Sequence, residues 1–210
     1  MIELNKLYLM DCMDGMRQFP DGYFDLAIVD PPYGINRFKH GETSRLRKYG
    51  QIDTVNNLKP EKAYFDELFR VSKNQIIWGY NHLCDLLPPT SEFVFWYKHQ
   101  PVETYAGGEL AYTSFNKTGK VFDYPYFGTY HADPDGRIHP AQKPIQLYKW
   151  LLTKYAKEGD KILDTHVGSA SSLIACHDLH FDFVGFEIDE TYYKAAIERM
   201  EQHFAQYTLF

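Results

Sequence analysis

Apolar residues fall along this chain in two rhythms. Short runs at Leu7–Met10, Leu26–Val29, Gln75–Trp78, Phe93–Tyr97, Leu110–Ser114, Lys161–Asp164 and Phe183–Glu187 are predicted strands. Several are apolar almost throughout, as strands buried on both faces are. Helical spacing fills the stretches between. Pro60 and Glu61 predict a helix start, with Tyr64, Phe65, Leu68 and Phe69 on one side. Pro144 opens a second helix that carries Ile145, Tyr148, Leu151 and Leu152 and stops at Lys157–Gly159. Asp189 is the predicted N-cap of a last helix bearing Tyr193, Ala196, Ile197, Met200 and Phe204. Strands that alternate with helices predict an α/β domain around a mostly parallel sheet.

Two stretches, roughly Tyr33–Lys59 and Asn116–His139, follow neither rhythm. Irregular segments of that length in a compact domain are functional loops or disorder. Composition narrows the class. A chain of 210 residues fits one domain with a full core. No apolar run approaches the ~20 residues of a membrane helix, and no basic segment leads an apolar one at the N-terminus, so the cytosol is the expected address. Cys12, Cys84 and Cys176 are widely spaced and predict neither disulfides nor a zinc site. His99, His131 and His139 show no metal-ligand spacing, so no metal is expected. The net charge of −6 argues against a nucleic-acid partner until its distribution is considered. Arg37, Lys39, Arg45, Arg47 and Lys48 face Glu42 alone in one loop, and a local basic field meets phosphates even on an acidic body.

The sharpest chemical pattern is Asp30-Pro31-Pro32-Tyr33, directly after the run Leu26–Val29. A strand that ends in an acid and two prolines leaves rigid backbone at the carboxyl edge of a sheet, where open α/β sheets bind ligands. An exocyclic amino group on a base offers two hydrogens and a delocalised lone pair. The Asp30 carboxylate and the Pro31 carbonyl are suited to accept those hydrogens, localising the lone pair and stabilising the charge that develops on nitrogen. Tyr33 offers a face on which a base stacks. Trp78-Gly79-Tyr80-Asn81 and Trp96-Tyr97-Lys98 end predicted strands and fall on the same edge.

A second pattern lies downstream. Lys161–Asp164 is followed by Thr165-His166-Val167-Gly168-Ser169-Ala170-Ser171-Ser172 and a helix, a strand–turn–helix cradle for a nucleotide cofactor. The chain has no GxGxxG there, which disfavours a nicotinamide dinucleotide. Glu187 follows at the end of the next strand, where a carboxylate binds ribose hydroxyls.

These segments together resemble the amino DNA methyltransferases of the beta group, in which the catalytic half precedes the cofactor half. The resemblance covers nearly the whole chain. Leu9-Met10-Asp11-Cys12 is similar to the segment whose acid holds the cofactor's adenine, which points to Asp11 with Cys12 beside it. His139-Pro140-Ala141-Gln142-Lys143-Pro144 is similar to the motif that leads into a helix upstream of the cofactor turn. Asp164, Gly168 and Ser169 match that turn, Glu187 matches the ribose-binding acid, and Glu109–Ser114 resembles a strand beside the pocket for an extruded base. The turn departs from the family pattern at Thr165, His166 and Ala170. The extra methyl of Ala170 is expected to weaken cofactor binding, and His166 stacks as an aromatic does while remaining able to titrate.

The resemblance implies a single Rossmann-like methyltransferase domain over residues 1–210: a mostly parallel seven-stranded sheet, its last strand antiparallel, with helices on both faces. Residues 1–114 would form the catalytic half and 139–210 the cofactor half, with 34–59 and 116–138 as DNA-recognition loops. S-adenosylmethionine would be held by Asp11, Cys12, Lys143, Asp164, His166, Gly168, Ser169, Ser171 and Glu187. The implied partner is double-stranded DNA, and a homodimer and a restriction endonuclease partner are both compatible with the family. An acid at the head of Asp-Pro-Pro-Tyr goes mostly with adenine N6 in this family, cytosine N4 being the alternative. The target base is expected to leave the stack, since neither acid nor methyl donor reaches it inside a duplex. The competing readings are action on RNA or a protein amide, a non-catalytic binding subunit of the same fold, and an oxidoreductase. Asp30 counts against the first, intact Asp30–Tyr33 against the second, and the absent glycine fingerprint against the third.

Overall fold

A computed structural model of the chain describes residues 2–35, 58–103, 105–126 and 137–207. Eight strands form one sheet: β1 (Lys6–Leu9), β2 (Phe24–Val29), β3 (Ser72–Trp78), β4 (Phe93–Tyr97), β5 (Gly108–Thr113), β6 (Lys120–Asp123), β7 (Lys161–Asp164) and β8 (Asp182–Glu187). Their spatial order is β1-β8-β7-β2-β3-β5-β4-β6. The helices are α1 (Cys12–Met16), α2 (Lys62–Val71), α3 (Tyr80–Leu83), α4 (Ile145–Tyr155), α5 (Ser171–Asp178) and α6 (Glu190–Tyr207).

Alternation along the central strands explains the layering. Leu26 and Ile28 of β2, with Ile76 and Trp78 of β3, pack on Leu147, Leu151 and Leu152 of α4 and Leu173 and Ile174 of α5. Ala27, Val29 and Ile77 point the other way, onto Tyr64, Phe65 and Leu68 of α2 and Met16 of α1. Each fully buried aliphatic or aromatic side chain contributes about 1.5–3 kcal/mol, so the two layers rather than any one contact hold the sheet. Capping follows the expected chemistry at α6, where Asp189 Oδ1 accepts from the backbone of Thr191 at 2.8 Å and Tyr192 at 3.1 Å.

The single mostly parallel α/β domain is as expected, but two details of the sheet are corrected. Among the described residues it has eight strands and not seven, because Lys120–Asp123, inside a stretch expected to be loop, pairs in parallel with β4 at the sheet edge. Only Val121 and Phe122 are apolar in those four residues, too few for a strand rhythm. The antiparallel strand is β5 and not the last one: β8 runs parallel to both β1 and β7. The short connection from β4 to β5 cannot hold a crossover, so β5 must run back against β4 and, on its other side, against β3. β8 follows α5, a crossover helix, and is therefore parallel.

Direction decides what reaches the carboxyl edge. β1, β2, β3, β7 and β8 bring their C-terminal ends there, whereas the reversed β5 brings its first residues, Gly108 and Glu109. The N-terminal β1 pairs with β8, so Asp11 joins the downstream half of the sheet.

One buried acid ties the edge strands to the helical layer. Glu92, before β4, accepts from the Lys117 backbone at 2.7 Å and from the Tyr155 hydroxyl at the end of α4 at 3.0 Å. Tyr155→Phe removes one of these bonds and should cost about 1–2 kcal/mol. Calorimetric unfolding should show a drop of about 2–4 °C per kcal/mol, and an unchanged midpoint would mean that Glu92 is satisfied without it.

Candidate active site

Asp30 follows β2 at the carboxyl edge, and both of its oxygens are engaged. Oδ1 accepts from the Tyr33 hydroxyl and Oδ2 pairs with the Lys143 ammonium. Lys143 is 4% exposed and lies 5.4 Å from the centre of the Trp78 ring. The same ammonium lies 3.0 Å from Glu109 Oε2, a second ion pair. Glu109 Oε1 in turn pairs with Lys98, whose ammonium lies 4.4 Å over the Trp96 ring. Burial raises the Glu109 carboxyl, but the charges of Lys143 and Lys98 outweigh it and hold it well below the usual carboxylate range. Burial lowers the Lys143 amine, and Asp30 and Glu109 reverse that and raise it. Tyr33, Asp30, Lys143, Glu109 and Lys98 thus form one continuous chain of polar and ionic contacts.

Tyr33 is fixed by shape as well. Its ring stacks on His82 with centroids 5.3 Å apart and a 21° tilt, and it lies directly over Gly79. Gly79, at φ +78, joins β3 to α3 in a left-handed conformation that a side chain resists.

Beside Asp30 the edge opens into a cleft of about 90 Å³ lined by Met10, Asp11, Cys12, Thr165, His166, Phe186, Glu187 and Ile188. Asp11 caps α1, its Oδ1 accepting from Met13 at 2.8 Å. Burial, with Asp11 beside it, pushes the Cys12 thiol up to about 12. At the end of β8, Glu187 Oε2 accepts from Gly168 at 2.8 Å and Oε1 from Asp189 at 2.9 Å. Each of those oxygens keeps a second lone pair for a ligand hydroxyl.

The turn after β7 is braced from several sides. Asp164 Oδ1 accepts from the His166 backbone at 3.0 Å and Oδ2 from the Ser172 hydroxyl. Burial raises its carboxyl to about 7, those two bonds opposing and the charges of Asp30 and Glu187 assisting. Thr165 Oγ1 lies 2.6 Å from the Tyr64 hydroxyl and 2.9 Å from His166 Nδ1. Arg199 of α6 donates to the Ser169 carbonyl at 2.7 Å and to the Ser171 hydroxyl at 2.9 Å. Gly168 takes φ +55 with the His139 ring against it, so an added Cβ would meet that ring at 3.3 Å.

The sequence profile of the N6/N4 methyltransferases, described as DNA methylase, matches residues 62–198. The chain belongs to this DNA methylase family. The methylase is 21% identical over 241 residues to the type II methyltransferase M.HpaI of Haemophilus parainfluenzae, covering 95% of this chain and 75% of that one. Among solved structures it is similar to M1.HpyAVI in complex with S-adenosylmethionine, with a TM-score of 0.59 at 20% identity, over 93% of this chain and 98% of the other. It is also similar to the cytosine-N4-specific PvuII DNA methyltransferase, with a TM-score of 0.62 at 13% identity, over 96% and 91%. At such identities the structural likeness is one of fold.

The methylase gathers most of the residues singled out in its sequence. Asp11, Cys12, His166 and Glu187 line the cleft; Asp30, bonded to Tyr33, is not among the lining residues, but its charge acts on the His166 ring. Lys143, expected at the cofactor, places its ammonium between Asp30 and Glu109. Ser169 and Ser171 are buried and engaged by Arg199, and Asp164 braces the turn. Ala170 is also fully buried, in the core with α5, and is not among the residues lining the cleft. Arg37, Lys39, Arg45, Arg47 and Lys48 lie outside the described residues, as do 127–136 of the second long stretch.

Four contributors escaped the sequence reading. In the sequence Tyr64 belongs to the apolar stripe of α2, and His139 shows only as the head of the helix-leading motif. Arg199 adjoins the apolar stripe of α6, and Lys98 was noted only as a strand end. Arg199 carried a readable sign, a long cation directly before Met200 in an apolar stripe.

Two outcomes follow from this geometry. An alanine at Gly79 would put Cβ 2.1 Å from the Tyr33 ring. Gly79→Ala should therefore cost about 1–3 kcal/mol in thermal unfolding, and an unshifted midpoint would show that Tyr33 yields freely. The second concerns pH. Burial pushes His166 down to about 4 from 6.5, so between those values the unfolded chain takes up a proton that the folded ring refuses. Its contribution to stability is complete above pH 6.5 and lost as pH falls through 4; Asp164, raised to about 7, works in the opposite direction. His166→Phe should flatten the acid-side fall in urea midpoints, and an unchanged pH profile would show that the ring protonates without cost.

Proposed function

We propose that this DNA methylase is adenine-specific: it acts at a defined DNA site and methylates N6 of an adenine flipped out of the duplex. The observation that carries this reading is the carboxylate of Asp30 at the carboxyl edge, set between the Tyr33 hydroxyl and the Lys143 ammonium. An acid at the head of Asp30-Pro31-Pro32-Tyr33 is the form that goes mostly with adenine in the family it resembles.

The cleft suits S-adenosylmethionine in its chemistry. Asp11 offers an exposed acid for an adenine amino group, and Glu187 offers lone pairs for ribose hydroxyls. Thr165 and His166 form a neutral, part-polar wall between them. Bound there, S-adenosylmethionine supplies an electrophilic methyl group on a sulfonium.

The protein's part is to prepare the attacking nitrogen. Asp30 accepts one amino hydrogen of the base and the Pro31 carbonyl accepts the other, so the nitrogen lone pair is drawn out of conjugation. The carboxylate then stabilises the positive charge on that nitrogen and takes the proton it sheds. The two proline rings hold both acceptors in place, which lowers the entropy cost of alignment. Tyr33 gives the extruded base a stacking face. The basic residues Arg37, Lys39, Arg45, Arg47 and Lys48 would contact phosphates and hold the duplex in register.

Nucleoside mass spectrometry of unmethylated DNA incubated with the protein and S-adenosylmethionine should give N6-methyladenine. N4-methylcytosine would overturn the base assignment while keeping the chemistry. Asp30→Ala should lower kcat by ~10³-fold or more, on the scale of a lost electrostatic group. Its affinity for S-adenosylhomocysteine by calorimetry should stay close to that of the unaltered protein. Retained turnover in this variant would remove Asp30 from the mechanism.

A further inference from the structure

We infer that Glu109 is a positioning residue for methyl transfer, the carboxylate onto which the Lys143 ammonium withdraws when Asp30 takes up the target amino group. This rests on the reading of Asp30 given above.

The need arises from the occupancy of Asp30. Its two oxygens are held by Tyr33 and Lys143, and an ammonium on the carboxylate cancels the field meant for a nitrogen turning positive. Each oxygen keeps a lone pair for the amino hydrogen, but drawing Lys143 away is what restores the field on that nitrogen. Water is not a ready destination, because the side chain is 3% exposed and lies against Trp78. A buried ammonium without a counter-charge is strongly disfavoured. Glu109 removes the difficulty: its Oε2 is already 3.0 Å from the same Nζ.

Glu109 is also equipped to stay ionised. Lys98 holds its other oxygen, so two ammonium groups face two carboxylates along the chain Lys98–Glu109–Lys143–Asp30. Moving Lys143 from Asp30 toward Glu109 transfers no proton and leaves this count of charges intact. The reversed direction of β5 makes the arrangement possible, because it brings Glu109 opposite Trp96 at the edge where Asp30 lies.

The test compares Glu109→Gln with the double variant Lys98→Met/Glu109→Gln, which removes one charge of each sign. Thermal midpoint, S-adenosylhomocysteine affinity, KM for unmethylated DNA and kcat are measured for each. Glu109→Gln should lower kcat roughly ten-fold or more, about 1.4 kcal/mol or more of barrier. Both the affinity and the KM should remain close to those of the unaltered protein. The double variant should recover the midpoint but not kcat, and Glu109→Asp should recover part of kcat. Unchanged kcat in Glu109→Gln, or joint recovery of midpoint and kcat in the double variant, would overturn the inference in favour of a structural role. Failure of the underlying reading is separable: it appears as turnover by Asp30→Ala, whatever the Glu109 variants do.

Discussion

A parallel sheet delivers the ends of its strands to one edge, and in this chain the ends of β1, β2, β7 and β8 bring the acids Asp11, Asp30, Asp164 and Glu187 there. Like charges so close would drive the edge apart, and most of the local architecture answers that constraint. Each acid finds different partners. Asp11 spends one oxygen on the first turn of α1, and Glu187 accepts two backbone N–H groups. Asp164 is buried, and its carboxyl is raised to about 7. Of these four, Asp30 is the one that pairs with an ammonium among the described residues, that of Lys143. Four chemically similar residues thus acquire distinct partners from their surroundings.

One short segment links the two functional regions. His139 lies against Gly168 in the cofactor turn, and Lys143, four residues on, holds Asp30. α4 begins immediately afterwards at Ile145 and buries Leu147 and Leu151 in the core, which anchors the segment. The turn itself is braced by Tyr64 from α2 and Arg199 from α6, on opposite sides of the sheet. Changes at Thr165 and His166 are absorbed within that frame: a hydroxyl meets Tyr64, and the neutral ring packs edge-on against the same tyrosine at 5.3 Å.

Much of this was legible in advance because it depends on neighbours in sequence. Asp30-Pro31-Pro32-Tyr33 after an apolar run identifies itself locally, as do the Asp189 cap and the apolar stripe of α6. The departures at Thr165, His166 and Ala170 were visible too, but their consequences were not. A methyl at position 170 was expected near the cofactor, and the fold turns it into the core. β6 was missed because four residues at a sheet edge need only a partner strand and carry little pattern of their own.

The order of strand-ending acids, the rigid double proline and the small residues of the cofactor turn are properties of the sequence itself, since each acts through its own backbone or the next few residues. Family membership was legible on the same grounds. Tertiary structure alone decided the direction of β5, the pairing of Lys98 with Glu109, and the meeting of Lys143 with Asp30 across 113 residues. It also set the protonation of Asp164 and His166, because burial and the sum of surrounding charges govern a titrating group, and neither exists until the chain has folded.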